Sequence, residues 1–124
     1  MVTNTRAVGG RWEREAENFL HCQGLRTLAR NFNCRLGEID LVMEDGECLV
    51  FAEIRYRNNN RFGSGAETVT RAKQGPTIRA AQRYLQLHRS RAAQPCRFDV
   101  LSLGNEQGRL AVEWIRNAFT ADRC

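Results

Sequence analysis

Two stretches of this chain alternate apolar and polar positions with a period of two, residues 36–44 and 49–56, and Asp45-Gly46 between them is a strong hairpin signal. With Asp45-Gly46 as the turn, Glu44 faces Glu47, Asp40 faces Phe51 and Glu38 faces Glu53. One face of the hairpin, formed by Ile39, Leu41, Met43, Val50, Ala52 and Ile54, is wholly apolar and should pack on a helix. Upstream, Trp12, Ala16, Phe19 and Leu20 recur at helical spacing between Arg11 and Gln23, with Gly24 as a natural stop, which predicts a first amphipathic helix. Residues 25–32 then read as a strand. Downstream, residues 57–65 have the composition of an exposed loop. Ile78, Ala81, Tyr84, Leu85 and His88 mark a second helix, expected to start at or near Pro76 because proline is tolerated in the first turn and not later. Residues 70–73 suggest a separate turn, and residues 97–103 and 110–115 two further strands. The order helix, three strands, helix, two strands predicts an α+β, mixed-sheet domain spanning residues 1–124.

The second face of the hairpin changes the picture, because it gathers Glu38, Asp40, Glu53 and Arg55. Like charges opposite one another on a sheet repel, so Glu38 against Glu53, with Asp40 diagonal to both, calls for a cation or a proton. A bound divalent metal would supply the cation. A patch in which Arg55 and Arg57 pair the carboxylates, with no metal, is the competing reading.

The formal net charge is +5 and the pI near 9.3, with Lys73 the only lysine. An arginine-rich balance suits a phosphate-rich partner, since guanidinium forks match phosphate oxygens bidentately. A basic composition without nucleic-acid affinity is also common. The five cysteines, Cys22, Cys34, Cys48, Cys96 and Cys124, have long irregular spacings and no Cys-x-x-Cys pair, against both a zinc site and a disulfide framework. Reduced thiols, no signal-peptide pattern and no membrane-length apolar run make a cytoplasmic protein the expectation. His21 and His88 lack paired ligand spacing. Trp12, Phe19 and Tyr84 fall on helical apolar stripes and read as core residues.

At Gly37-Glu38-Ile39-Asp40-Leu41, followed by Val50-Phe51-Ala52-Glu53-Ile54-Arg55-Tyr56-Arg57, the chain resembles the YraN family of uncharacterised bacterial proteins. The resemblance also takes in the helix around Glu13 and Ala16, Leu28-Ala29-Arg30-Asn31, Arg61-Phe62-Gly63, the Ala80-Ala81 helix through Tyr84-Leu85, and Cys96-Arg97-Phe98-Asp99-Val100. That family looks like a branch of the PD-(D/E)xK nuclease superfamily, close to the Holliday-junction resolvases. The resemblance implies a restriction-endonuclease-like fold, a central mixed five-stranded sheet flanked by helices.

Carried over by position, it places the superfamily's helix glutamate on Glu13, its aspartate on Asp40 and the acid of its Glu-x-Lys motif on Glu53. It implies divalent-metal-dependent phosphodiester hydrolysis, with Mg2+ or Mn2+ held by Asp40, Glu53 and the main-chain carbonyl of Ile54. Arg57, Arg61, Lys73, Arg79 and Arg83 are the expected nucleic-acid contacts, with DNA, branched DNA in particular, the expected substrate. Symmetric cutting of a junction needs two active sites, which favours a homodimer. This chain departs from the pattern in having Trp12 where the family usually has glycine, Gly75-Pro76 inside an ordinarily continuous helix, and Arg55 where the motif has lysine. An arginine can bind a scissile phosphate or stabilise developing charge, but it cannot act as a base. Three readings follow for the site: a nuclease using Arg55 electrostatically, a nuclease borrowing Lys73, or a catalytically silent DNA- or RNA-binding protein. A protein-interaction module on the same fold is a further alternative.

Overall fold

Gly24 ends the first helix as its position suggests. At φ +94° it adopts a left-handed conformation that closes a Schellman motif, with Leu25 N donating to Leu20 O at 3.0 Å and Gly24 N to His21 O at 3.0 Å. The computed structural model describes residues 5–57, 71–106 and 109–119. The elements are α1 (Thr5–Cys22), β1 (Arg26–Cys34), β2 (Gly37–Asp45), β3 (Cys48–Arg57), α2 (Arg71–Leu87), a 3-10 turn (Arg89–Arg91), β4 (Cys96–Glu106) and β5 (Arg109–Phe119). The five strands form one sheet in the order β1-β2-β3-β4-β5. Every neighbouring pair is antiparallel except β3 and β4, which are parallel and joined through α2. The chain is thus α+β, with a mixed five-stranded sheet and helices, as expected.

Each helix has its own face of the sheet. Ala16 and Leu20 of α1 pack with Leu41, Met43, Val50, Ala52, Leu101 and Leu103. Ile78, Ala81 and Tyr84 of α2 pack with Val42, Leu49, Phe51, Phe98 and Val100. Burial on both sides explains why Leu49-Val50-Phe51-Ala52 is a continuous apolar run, all of it buried. Trp12 and Phe19 are partly buried against the α1-side cluster, and Tyr84 is buried on the other side, consistent with core roles. Among the described residues no helix is long and apolar enough to cross a membrane.

The structure corrects three details of the sequence reading. The hairpin turn is Gly46-Glu47 instead of Asp45-Gly46: Asp45 pairs with Cys48, Glu44 with Leu49 and Val42 with Phe51. Gly46, at φ +60°, takes the first loop position, which type II′ hairpins reserve for glycine. In this register Glu38 does not face Glu53; on its other side it pairs with Asn33 of β1. Second, α2 begins at Arg71, so Pro76 lies inside it and residues 71–73 are helical. The interior proline forfeits one helical hydrogen bond. The following turns, where Thr77, Ile78, Ala80, Ala81 and Tyr84 are buried, supply the compensating packing. Third, β4 and β5 run beyond their expected ends. Buried Asp99 holds that extension, accepting hydrogen bonds from Arg97 Nε at 3.0 Å, Trp114 Nε1 at 2.9 Å and Asn117 N at 3.0 Å, next to a bulge between Phe98 and Val100.

Candidate active site

The ladder between β2 and β3 runs from Asp45 and Cys48 to Leu41 and Ala52. Just beyond it, the Ile54 N–H donates to Asp40 Oδ2 at 2.8 Å, so a side-chain carboxylate takes the bond a backbone carbonyl would otherwise accept. On the other side of β2 the pairing continues, with Leu41 opposite Arg30 and Ile39 opposite Phe32. Those two pairs point to different faces. Arg30 binds Glu17 of α1 and Leu41 belongs to the α1-side cluster, whereas Phe32 meets Tyr84 of α2 edge-on and Ile39 belongs to the α2-side cluster. Residues two apart on a regular strand share a face, so both strands change face together across the intervening Asn31 and Asp40. Asn31, at φ +51°, provides the twist on β1. Asparagine is one of the few residues other than glycine that adopt this region readily.

This twist sets Asp40 at the fork of the sheet. Glu38, Ile39, Asp40, Glu53, Ile54 and Arg55, with buried Thr77 from α2, surround a cavity of about 320 Å3. Arg55 Nε donates to Glu53 Oε2 at 2.9 Å and its terminal nitrogen to the same oxygen at 2.5 Å. The Arg55 side chain is 14% exposed and that of Glu53 26%. The arginine expected to pair a carboxylate does so, with two of its nitrogens on Glu53 Oε2.

Asp40 has its carboxyl pKa pushed up to about 7. Burial is the main cause, reinforced by the charges of Glu13, Glu53 and Glu38 and opposed by the Ile54 N–H. Glu13 is also shifted upward, by burial and by Glu38, against a hydrogen bond with the Asn31 side chain. Asn31 thus both twists the strand beside Asp40 and contacts the helix glutamate. The electrostatics place all four acids in one neighbourhood, in which the sequence had placed Glu38, Asp40 and Glu53 by alternation and Glu13 by resemblance.

Among the described residues no three His, Cys, Asp or Glu side chains converge closely enough to hold a metal ion by themselves. A magnesium site does not need three, because this ion binds through one or two carboxylates and completes its shell with water and substrate phosphate. Asp40, Glu53 and the Ile54 carbonyl supply hard oxygen donors at one cavity, and the carboxylates of Glu13, Glu53 and Glu38 add to the burial that raises the Asp40 pKa. The donor set therefore fits Mg2+ or Mn2+.

Arg79 and Arg83 lie on α2 and do not line the Asp40 cavity; they line another one, with Arg35 and Leu36. Arg61 lies outside the described residues. Arg57 and Lys73 belong to β3 and α2, but their side chains lie outside the description. The sequence reading named Glu38 in the charged face but missed Asn31 and Thr77. Asn31 could have been found as an asparagine inside an otherwise strand-like run. Thr77 could not, because only the packing of α2 brings it to the fork.

The profile of the uncharacterised protein family UPF0102 matches residues 12–103. Similar curated proteins include a UPF0102 protein of Nitrosococcus oceani, 47% identical over 117 residues that cover 94% of each chain. A UPF0102 protein of Saccharophagus degradans is 47% identical over 113 residues, 91% of this chain and 92% of its own. One from Xanthomonas oryzae pv. oryzae is 48% identical over 112 residues, 90% of each.

Proposed function

Because the chain belongs to the uncharacterised protein family UPF0102, whose name assigns no activity, its own residues must carry the functional reading, and we propose a divalent-metal-dependent endonuclease that hydrolyses phosphodiester bonds in DNA. The observation that carries this reading is Asp40: a carboxyl at the sheet fork, held near pKa 7 by burial and by three neighbouring glutamates. Such a cluster is costly unless it receives a cation. Asp40, Glu53 and the Ile54 carbonyl would hold Mg2+ or Mn2+. The ion would polarise a phosphoryl oxygen and lower the pKa of a bound water.

The chain's own groups divide the remaining work. The Ile54 N–H fixes Asp40 through Oδ2 and leaves Oδ1 for other partners. Glu13, placed by α1 and contacted by Asn31, orients water near Asp40. Arg55, held by Glu53 against the cavity wall, offers a permanent positive charge to the non-bridging phosphate oxygens as the phosphorus centre gains negative charge. In-line attack forms the bond from water oxygen to phosphorus and breaks the bond to one sugar oxygen, which leaves and takes up a proton. Arg55 cannot remove the proton from water, so base strength has to come from the carboxylates and solvent.

A second reading has its own support. Two bonds from Arg55 fall on Glu53 Oε2, so the guanidinium that replaces the motif lysine is engaged with an acid of the site. A catalytically silent nucleic-acid binder would look the same. Cleavage of labelled junction, flap, single-strand and duplex DNA with Mg2+ or Mn2+ separates the two. The nuclease reading expects products that vanish on chelation and fall by at least about a hundredfold in Asp40→Ala, the loss of a group worth roughly 2.7 kcal/mol or more in the transition state. Intact substrates throughout would sink it. Cleavage appearing only in Arg55→Lys would establish the silent binder.

A further inference from the structure

The acidic cavity is one end of a longer groove. Glu38, Glu53 and Thr77 are shared with an adjoining cavity of about 590 Å3 floored by Gly37 and Pro76. That cavity shares Cys34, Arg35 and Leu36 with a third, also about 590 Å3, whose other wall is α2 through Arg79, Gln82, Arg83 and Gln86. The turn between β1 and β2 forms one bank and α2 the other. The floor is tight: a Cβ added to Gly37 would lie 2.1 Å from the Pro76 carbonyl oxygen, so strand and helix meet backbone to backbone.

Charge and polarity change along this groove. The acids sit at the fork, whereas no acidic side chain among the described residues lines the distal cavity. It carries Arg35 on one bank and Arg79 and Arg83 on the other, all exposed. Arg79 and Arg83 are one helical turn apart, about 6 Å along the axis, which is close to the separation of successive phosphates in an extended strand. Arg83 also donates to Gln86 Oε1 at 3.2 Å, which steadies its reach along the bank. Next to Arg35 in the same cavity stands Leu36, 59% exposed. An exposed leucine alone means little. One that shares a cavity with three arginines has apolar surface for a base where the arginines have charge for its phosphates.

Dimensions decide which form of nucleic acid fits. Each cavity has the size of a pocket for a small ligand, within the usual range of about 300–1,000 Å3. A duplex cannot sink into such a groove, while a single strand can be followed along its backbone by basic side chains with apolar contact to its bases. We propose that this groove seats a single-stranded polynucleotide arm, phosphates on Arg35, Arg79 and Arg83 and a base against Leu36, and leads it to the Asp40 cavity. The inference deepens the phosphodiester reading and rests on it for the orientation of the arm. It makes the preferred substrate one with an unpaired strand beside the cut, as in a flap or fork, and makes Leu36 a wedge of the kind that apolar side chains provide between bases.

The test is equilibrium binding by fluorescence anisotropy in EDTA, with no divalent ion. The probes are labelled oligodeoxynucleotide and oligoribonucleotide single strands and a duplex of the same sequence. Tighter binding of either single strand than of the duplex is expected, the better of the two naming the sugar. The Arg79→Ala, Arg83→Ala double variant should weaken single-strand binding at least tenfold and flatten its dependence on log salt by about 1.4, the slope carried by two phosphate contacts. Leu36→Ala should weaken it several-fold with the salt slope unchanged. Duplex binding as tight as single-strand binding, or an unchanged slope in the arginine double variant, overturns the proposal. Failure of the nuclease reading is a separate result: a protein that prefers single strands in EDTA but never cuts keeps the groove and loses the chemistry. One that cuts duplex and binds it as tightly as single strands keeps the chemistry and loses the groove.

Discussion

Asp40 is held at a cost that pH reveals. Its carboxyl moves from the ordinary 3.8 to about 7 on folding, so between these values the folded chain keeps a proton that the unfolded chain has released. Stability rises with pH only where the unfolded state binds more protons; here the folded state does, and the contribution has the opposite sign. The penalty is absent below about pH 4, grows by at most about 1.4 kcal/mol per pH unit, and is complete above about pH 7. Asp40→Asn keeps an acceptor for the Ile54 N–H and removes the titration. Urea unfolding without divalent ions should therefore show wild type losing stability relative to Asp40→Asn between pH 4 and 7. A difference between the two that does not change with pH would refute the assignment. At this scale the sequence was informative about which acids matter, because alternation put Asp40 and Glu53 on a common face. Alternation did not single out Asn31, whose left-handed backbone is a property of one residue that a pattern of period two averages over; only its being an asparagine in a strand-like run signals it.

The hairpin shows why a misread element can leave a site intact. Placing the turn at Asp45-Gly46 instead of Gly46-Glu47 shifts the register by two positions, and a shift of two returns every side chain to the face it left. A slip of one would have moved the acids to the opposite face. Glu53 and Arg55 kept their place beside Asp40 for that reason, while the facing of Glu38 with Glu53 did not survive, and Ile39, beyond the face change at Asp40, joined the α2 side instead of the face of Leu41. The start of α2 was misplaced for a different reason: helix propensity around Pro76 says nothing of the contact that holds the helix there. That contact is with Gly37, where no side chain fits. Gly37→Ala must separate β2 from α2 at the floor of the groove, and overpacking of this kind costs about 1–3 kcal/mol. Thermal and urea denaturation should register that loss. The same substitution at a position with open space would not, so full stability in Gly37→Ala would mean that strand and helix do not meet as described.

At the scale of the whole molecule, the acids join elements distant in sequence: Glu13 comes from α1, Asp40 from β2 and Glu53 from β3. A cation held there on the proposed reading binds the folded chain and not the dispersed ligands of the unfolded one, so it should stabilise the fold through linkage. At pH 8, where Asp40 is deprotonated, Mn2+ at 100 times its Kd should add about 2.7 kcal/mol. At pH 5 the ion must first displace a proton from a group of pKa about 7, which lowers its affinity by about a hundredfold. The same ion concentration then sits near its Kd and adds only about 0.4 kcal/mol. Chelation should reverse the gain at pH 8, and Asp40→Asn should lose most of it at either pH. Equal stabilisation by Mn2+ at pH 5 and pH 8, or full stabilisation of Asp40→Asn, would place the ion away from the sheet fork, since only binding through Asp40 ties the ion's gain to that carboxyl's proton.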